Sequence, residues 1–152
     1  MPVFPIHTRD KHPGTILVVD DDSSVLGLVK VMLECGDYNV LIADSGKEAL
    51  RLAEQSDLQI DMILVDVVMP DVKGPDLAER ILGMRPRIKV LFMSGFADAE
   101  VVCVKVLERA LGFLPKPFTS AGLLACVKNA LARPALRAAA GSNVLDFSAG
   151  TS

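Results

Sequence analysis

Short runs of consecutive apolar residues alternate along this chain with longer segments in which apolar positions recur at helical spacing. The apolar runs are rich in β-branched residues and end at acids, glycines or prolines. They predict five strands, at residues 15–20, 38–43, 61–66, 88–93 and 112–115. Because the runs do not alternate with polar residues, they are typical of strands that are buried on both faces of a sheet.

An amphipathic segment follows each predicted strand. These segments predict helices at about 23–34, from 45 onward, and at about 76–82, 99–110 and 120–131. Asp22 or Ser23 is expected to cap the first helix, Ser45 and Glu48 form a capping-box pair, and Pro75 suits a first helical turn. A strand–helix alternation of this kind predicts an α/β fold, with a five-stranded parallel sheet and helices on both faces.

The length of 152 residues fits one domain with short tails, which we place at 1–13 (tail), 14–133 (domain) and 134–152 (tail or linker stub). The net charge of -3 argues against direct nucleic-acid binding. No apolar run is long enough to span a bilayer and residues 1–14 lack a signal-peptide core, so we expect a cytoplasmic protein. The cysteines Cys35, Cys103 and Cys126 form no CxxC pair, and we expect small buried side chains in a reducing compartment.

Polar side chains stand where the predicted strands end. Asp20 and Asp21 follow the first strand, Asp66 ends the third, Ser94 follows the fourth and Lys116 follows the fifth. Ligands of open parallel sheets bind beyond the carboxyl ends of the strands, so these groups are expected to converge on one edge.

Clustered carboxylates raise each other's pKa unless a cation lies among them. Oxygen ligands with room for water favour Mg²⁺, and a carboxylate beside Mg²⁺ and a lysine is a plausible nucleophile toward a phosphoryl group. Each residue also has a plainer explanation; Asp22, for example, is expected to be only a helix cap. The placement of the whole set at four strand ends favours the chemical interpretation.

In these residues the chain resembles the response-regulator receiver family of two-component signalling. The resemblance covers about residues 14–133 and is carried by four ordered motifs, at 16–22, 61–74, 90–95 and 113–118. It implies a flavodoxin-like (βα)5 fold and a signalling switch, not a turnover enzyme, whose own chemistry is limited to self-phosphorylation and slow autodephosphorylation.

The resemblance also implies a metal site and a phosphoryl acceptor. Asp66 would accept a phosphoryl group from a phosphohistidine donor. Asp21 would bind Mg²⁺ directly, Asp20 directly or through water, and the Asp66 carboxylate and the Val68 backbone carbonyl would complete the protein ligands.

The remaining roles implied by the resemblance concern the switch. Ser94 would be the switch hydroxyl, Lys116 would pair with the phosphoryl group, and Phe113 would be the switch aromatic. The Lys116–Pro117 peptide bond would be cis. Phosphorylation would then reshape the face made by the fourth helix, the fifth strand and the fifth helix.

The same resemblance implies a sensor histidine kinase or a histidine phosphotransfer protein as the partner. The net charge and the lack of a long apolar run argue against a directly bound nucleic acid or membrane. The predicted fourth helix is strongly apolar, which suggests either deep burial or a partner surface, including a homodimer through the switch face. Val68 and Phe96 are apolar at two positions that tune water attack on the phospho-aspartate in the family. We therefore expect slow self-dephosphorylation.

Two alternatives stand beside this interpretation. A phosphatase or phosphotransferase of the haloacid-dehalogenase-like class would use Asp20 and Asp22 as its DxD pair, with Ser94 and Lys116, but it would need an acidic pair after the lysine. A degenerate receiver would serve only as an interaction module, although it would normally have lost the acceptor, the acid pair or the lysine. No glycine-rich loop follows the first strand, which disfavours dinucleotide or P-loop binding.

Overall fold

The computed structural model describes residues 13–95 and 112–133, and within them five parallel strands form one sheet. The strand order is β2–β1–β3–β4–β5. The strands are β1 (Thr15–Val19), β2 (Asn39–Ala43), β3 (Met62–Asp66), β4 (Lys89–Ser94) and β5 (Gly112–Pro115). The predicted parallel sheet is confirmed, and each strand lies within a residue or so of its predicted bounds.

Four helices fall within the described residues. They are α1 (Ser23–Cys35), α2 (Gly46–Ala53), α3 (Gly74–Met84) and α4 (Ser120–Ala132). The last of these is the fifth helix predicted from the sequence. The predicted helix at 99–110, together with Phe96 and Cys103, lies outside the described residues.

The sheet is covered on both faces, as the unbroken apolar strands require. Alternate residues of each strand point to opposite faces, so Leu17 and Val19 pack with α2 and α3, whereas Ile16 and Val18 pack with α1 and α4. β1 and β3 are fully buried, which explains why their sequences show no polar alternation.

Local capping signals define where the helices begin. The Asp22 carboxylate accepts hydrogen bonds from the Ser24 and Val25 amides at the start of α1, as expected for an N-cap. Ser45 Oγ accepts from the Glu48 amide at 3.1 Å. Thr119 caps α4 in the same way.

Two cations hold helix ends at the amino edge of the sheet. The Arg85 guanidinium donates to the carbonyls of Ala53 (2.9 Å) and Gln55 (2.7 Å), just where α2 ends. Lys89 Nζ donates to the Leu131 carbonyl near the end of α4. Positive charge at the Ala53 and Leu131 carbonyls pairs acceptors near the helix ends, whereas the Gln55 carbonyl also accepts from the Leu58 amide.

The expectation that the cysteines are buried was wrong for Cys35 and holds only in part for Cys126. Cys35, the last residue of α1, is exposed, and Cys126 is half-buried. Helix periodicity places Cys35 on the solvent side of α1, a fact that cysteine's usual preference for burial does not convey. Within 13–95 and 112–133, no helix is both long and apolar enough to cross a membrane.

Candidate functional site

The site lies at the carboxyl edge of the sheet, where the chain connections diverge. The chain leaves β1 toward β2 on one side, while β3 lies on the other side of β1. In open parallel sheets this divergence leaves a crevice beyond the strand ends. Asp20 follows β1 and Asp66 ends β3, so the topology alone brings both to the crevice.

Three carboxylates meet there. Oxygen atoms of Asp20, Asp21 and Asp66 lie within 4.8 Å of one another. Asp20 and Asp66 are only 1% and 5% exposed, whereas Asp21 is exposed. The cluster therefore has two buried members and one that faces solvent, an arrangement open to an incoming ligand.

Lys116, the residue after β5, supplies the opposing charge. Its Nζ lies 3.0 Å from Asp20 Oδ2 and 3.5 Å from Asp66 Oδ1. The Lys116 amide donates to the Ser94 carbonyl at 2.8 Å, which ties the segment after β5 to the end of β4. The Lys116–Pro117 peptide bond is cis, as the resemblance implied.

Burial and charge shift two pKa values in the site. Burial, followed by the negative charge of Asp20, raises the pKa of Asp66 from 3.8 to about 6, against the lowering effect of Lys116 and of the Val68 N–H. Burial lowers the pKa of Lys116, but its hydrogen bond and ion pair with Asp20, and then its contacts with Asp66, raise that pKa overall. The single ammonium group therefore does not fully compensate the paired buried carboxylates.

One oxygen of the acceptor candidate has no hydrogen bond. Asp66 Oδ1 is buried and accepts no hydrogen bond from any described residue, although the Lys116 ammonium lies at ion-pair distance. A buried, unsatisfied carboxylate oxygen is costly. Together with the two neighbouring acids, it forms a donor set of hard oxygens that fits a Mg²⁺ ion.

The loop after β3 is packed directly against Asp66 and Val67. The Gly74 amide donates to the Val67 carbonyl at 2.8 Å, and a Cβ atom on Gly74 would overlap the Asp66 carbonyl oxygen. Glycine at this position therefore lets the start of α3 approach the end of β3.

The two residues assigned to the switch lie at the ends of β4 and in β5. Ser94 is buried, and its hydroxyl donates to the Gly95 carbonyl at 3.2 Å. Phe113 is half-buried, and its ring lies 5.7 Å from the Phe92 ring, centroid to centroid.

Asp22 does not join the carboxylate cluster. Its side chain caps α1, and its amide donates to Asp20 Oδ1 at 2.9 Å. The acid that accompanies Asp20 in the cluster is Asp21. This pairing does not match the Asp20–Asp22 pair that a haloacid-dehalogenase-like enzyme would use.

A sequence profile for the response regulator receiver domain matches residues 16–128, well over half of the chain. This chain belongs to the response regulator receiver family. As a receiver domain of two-component response regulators, it has the five-stranded flavodoxin-like fold expected of that family.

Individual similar proteins and a solved structure agree with this family assignment. The sensor kinase CckA of Brucella abortus (strain 2308) is 37% identical over 119 residues, covering 78% of this chain and 12% of that protein. The transcriptional regulator NtrC of Bradyrhizobium sp. (strain RP501 Parasponia) is 35% identical over 122 residues, covering 80% and 25%. The structure resembles a receiver domain protein from Clostridium thermocellum with a TM-score of 0.71 and 32% identity, covering 78% of this chain and 94% of that one. The chain thus spans a quarter or less of these two curated relatives.

All the predicted site residues that carry side-chain chemistry lie at the same sheet edge of the receiver domain. Sequence reasoning treated the loop from Met69 to Gly74 only as a turn, and so missed two residues that hold it. Gly74 packs on the Asp66 carbonyl, and Asp71 accepts hydrogen bonds from the start of α2. A glycine at the start of a helix could have indicated the close packing of Gly74. The role of Asp71 depends on a contact between residues 25 positions apart, which no local pattern reveals.

Proposed function

We propose that Asp66 accepts a phosphoryl group from the phosphohistidine of a sensor histidine kinase or a histidine phosphotransfer protein. The observation that carries this proposal is the Asp66 carboxylate itself. It is buried, has a raised pKa, and lies beside two further acids and a lysine at the divergence of the sheet connections. A carboxylate in this setting can act as a nucleophile, and the nearby lysine can neutralise charge on the phosphoryl oxygens.

The carboxylates of Asp20, Asp21 and Asp66 and the backbone carbonyl of Val68 would hold Mg²⁺. The donor set fits, because three oxygen ligands lie within 4.8 Å and one buried oxygen lacks a hydrogen bond. When bound, the ion supplies positive charge that offsets the negative charge of the acids and of the phosphoryl oxygens.

In the transfer step, an oxygen of Asp66 attacks phosphorus while the bond from phosphorus to the donor's imidazole nitrogen breaks. The electron pair of that bond stays on the imidazole, and an aspartyl phosphate forms. The Lys116 ammonium, already 3.5 Å from Asp66 Oδ1, pairs with a phosphoryl oxygen. Burial of Asp66 limits the access of water to the acyl phosphate.

The switch follows from differential contact with the new phosphoryl group. In the unphosphorylated chain the Ser94 hydroxyl donates to the Gly95 carbonyl. We expect it to turn toward a phosphoryl oxygen, and the half-buried Phe113 to move inward into the vacated space. The surface that changes would then be β5, α4 and the segment 99–110, with a homodimer as one form of output.

Intact-mass analysis after incubation with Mg²⁺ and acetyl phosphate tests the proposal. Wild type should gain one phosphoryl mass in a Mg²⁺-dependent reaction, and Asp66→Asn should gain none. Asp57→Asn, which alters an exposed acid in the turn before β3, is the matched control and should be labelled like wild type. Absence of labelling in wild type, by acetyl phosphate and by a cognate kinase alike, would instead indicate an interaction-only receiver.

The proposal extends to the setting of the domain. We assign the receiver to residues 14–133, with tails on either side, and place it in the cytoplasm. It acts as a switch that promotes its own phosphorylation and slow dephosphorylation and catalyses no other turnover. The family match at 16–128 supports these bounds.

A further inference from the structure

Asp71, in the loop between β3 and α3, binds the beginning of a different helix. Its carboxylate accepts hydrogen bonds from the Gly46 amide at 3.0 and 3.2 Å and from the Lys47 amide at 3.3 Å. These are first-turn amides of α2, which have no partner inside the helix. The negative charge also lies at the positive end of the helix dipole.

The cap of α2 is therefore divided between two segments. Ser45, directly before the helix, accepts from the Glu48 amide, whereas Asp71 reaches the two preceding amides from 25 positions away. A local cap would serve the helix alone. A remote cap ties the helix to the loop that supplies it.

Packing reinforces this connection. A Cβ atom on Gly46 would overlap the Val72 side chain, so residues 71 and 72 lie directly over the first residue of α2. At the other end of the loop, Gly74 is packed against the Asp66 carbonyl and donates to the Val67 carbonyl. The segment that contains Val68 is thus held at both ends, by β3 and α3 on one side and by α2 on the other.

From this geometry we propose that Asp71 is a positioning residue for the metal site, acting through the loop to hold the Val68 carbonyl where it can bind Mg²⁺. The inference rests on the proposed function, in which that carbonyl is a ligand. Asp71 touches neither the carboxylate cluster nor the acceptor, so its effect must pass through the backbone of residues 68–71. Removing the tether leaves this short segment free to shift, and a ligand displaced by a fraction of an ångström binds Mg²⁺ poorly, because the ion requires near-ideal octahedral geometry.

The chain offers a matched control, because Ser45 and Asp71 cap the same helix end. Mg²⁺ binding to metal-free protein is measured by isothermal titration calorimetry, and stability by urea unfolding, for wild type, Asp71→Ala, Asp71→Asn and Ser45→Ala. We expect Asp71→Ala to raise the Kd for Mg²⁺ about tenfold, at the low end of the range for residues that orient ligands. Asp71→Asn keeps one acceptor oxygen and should recover part of the affinity. Ser45→Ala should lose a similar amount of stability yet keep its Mg²⁺ affinity.

Phosphorylation by acetyl phosphate supplies a second measurement. The rate for Asp71→Ala should fall at limiting Mg²⁺ and return toward the wild-type rate at saturating Mg²⁺. Equal Mg²⁺ affinities for Ser45→Ala and Asp71→Ala would overturn the inference while leaving the proposed function intact, since Asp71 would then be only a helix cap. If Asp71→Ala does not fold, Asp71→Asn compared with Ser45→Ala decides by the same criterion. A wild-type domain that neither binds Mg²⁺ nor becomes phosphorylated would overturn the proposed function, and this inference with it.

Discussion

At the scale of single residues, the surroundings of Asp66 disfavour its charged form. Asp66 is buried beside Asp20, and Lys116 offsets only part of the resulting cost. An unligated site of this kind destabilises the fold at neutral pH, because the charged form of Asp66 is better solvated in the unfolded chain. In the proposed function, the same feature favours binding of a cation and then transfer of a phosphoryl group.

This arrangement predicts how stability depends on pH. The pKa of Asp66 is about 6 in the folded chain, against an ordinary value of 3.8. Between these two pH values the folded chain binds more protons than the unfolded chain does. The free energy of unfolding therefore falls as the pH rises from about 4 to about 6. Asp66→Asn removes the titrating carboxyl group, so the variant should not lose stability over this pH range. In EDTA the variant should match wild type below about pH 4 and exceed its free energy of unfolding by roughly 3 kcal/mol well above pH 6.

Urea unfolding followed by circular dichroism across this pH range measures the difference. Asp57→Asn, the exposed control, should follow the wild-type profile, and Mg²⁺ should shrink the advantage of Asp66→Asn at neutral pH. An Asp66→Asn variant that is no more stable than wild type at pH 7.5 would contradict the assigned electrostatic cost.

Val68 bears on the lifetime of the phosphoryl group. Its side chain is 43% exposed beside the acceptor and offers no polar atom to orient an attacking water. We expect the aspartyl phosphate to persist for minutes rather than seconds, and Val68→Asn to shorten its lifetime. Loss of the phosphoryl mass with time, after removal of acetyl phosphate, measures both; a wild-type lifetime of seconds would refute the expectation.

At the scale of elements, the entry of α3 depends on the absence of a side chain. Gly74 lies against the Asp66 carbonyl, and a Cβ atom there would also lie 2.9 Å from Val67 Cα. Both obstacles are backbone atoms of β3 and its extension, which cannot rotate away. The start of α3 can therefore approach β3 this closely only because residue 74 has no side chain.

Gly74→Ala should accordingly lower the free energy of unfolding by roughly 1–3 kcal/mol, as overpacking does, and slow phosphorylation by acetyl phosphate. Gly83→Ala is the matched control in the same helix, since nothing lies within 4 Å of the position its Cβ would take. That variant should gain roughly 0.5–1 kcal/mol from helix propensity and be phosphorylated normally. Equal stabilities for the two variants in urea unfolding would contradict the packing argument.

At the scale of the whole molecule, the site joins three strands that are far apart in the chain. Lys116 and Asp20 are separated by 96 positions and meet at 3.0 Å, and Asp66 comes from a third strand. A ligand that binds this cluster binds only the folded chain. Site occupancy and global stability are therefore linked.

Mg²⁺ at a concentration 100-fold above its Kd should raise the free energy of unfolding by about 2.7 kcal/mol. Asp21→Asn should lose most of this increment and still fold, because Asp21 is the exposed member of the cluster. Thermal or urea unfolding with and without Mg²⁺, at an ionic strength matched with NaCl, measures the increment. If NaCl alone reproduced it, general screening would account for the effect and the metal site would be refuted.

Much of the fold could be predicted because its determinants are local. Unbroken apolar runs such as that at Thr15–Val19 require burial on both faces, and caps such as Asp22 and Ser45 bond to amides two or three residues away. The convergence of Asp20, Asp66 and Lys116 was also predictable, since parallel strands place all their carboxyl ends at one edge.

Contacts between distant segments were decided only by the tertiary structure. No local pattern distinguishes Asp71 as the cap of α2 or Arg85 as the partner of carbonyls near residue 54. The unpaired oxygen of Asp66 and its raised pKa likewise depend on how closely Asp20 and Lys116 approach. The sequence by itself determined the order of the elements and the sheet edge that carries the functional side chains, because periodicity and capping act over a few residues. Distances, burial and charge balance arise from side chains that only the packed fold brings together.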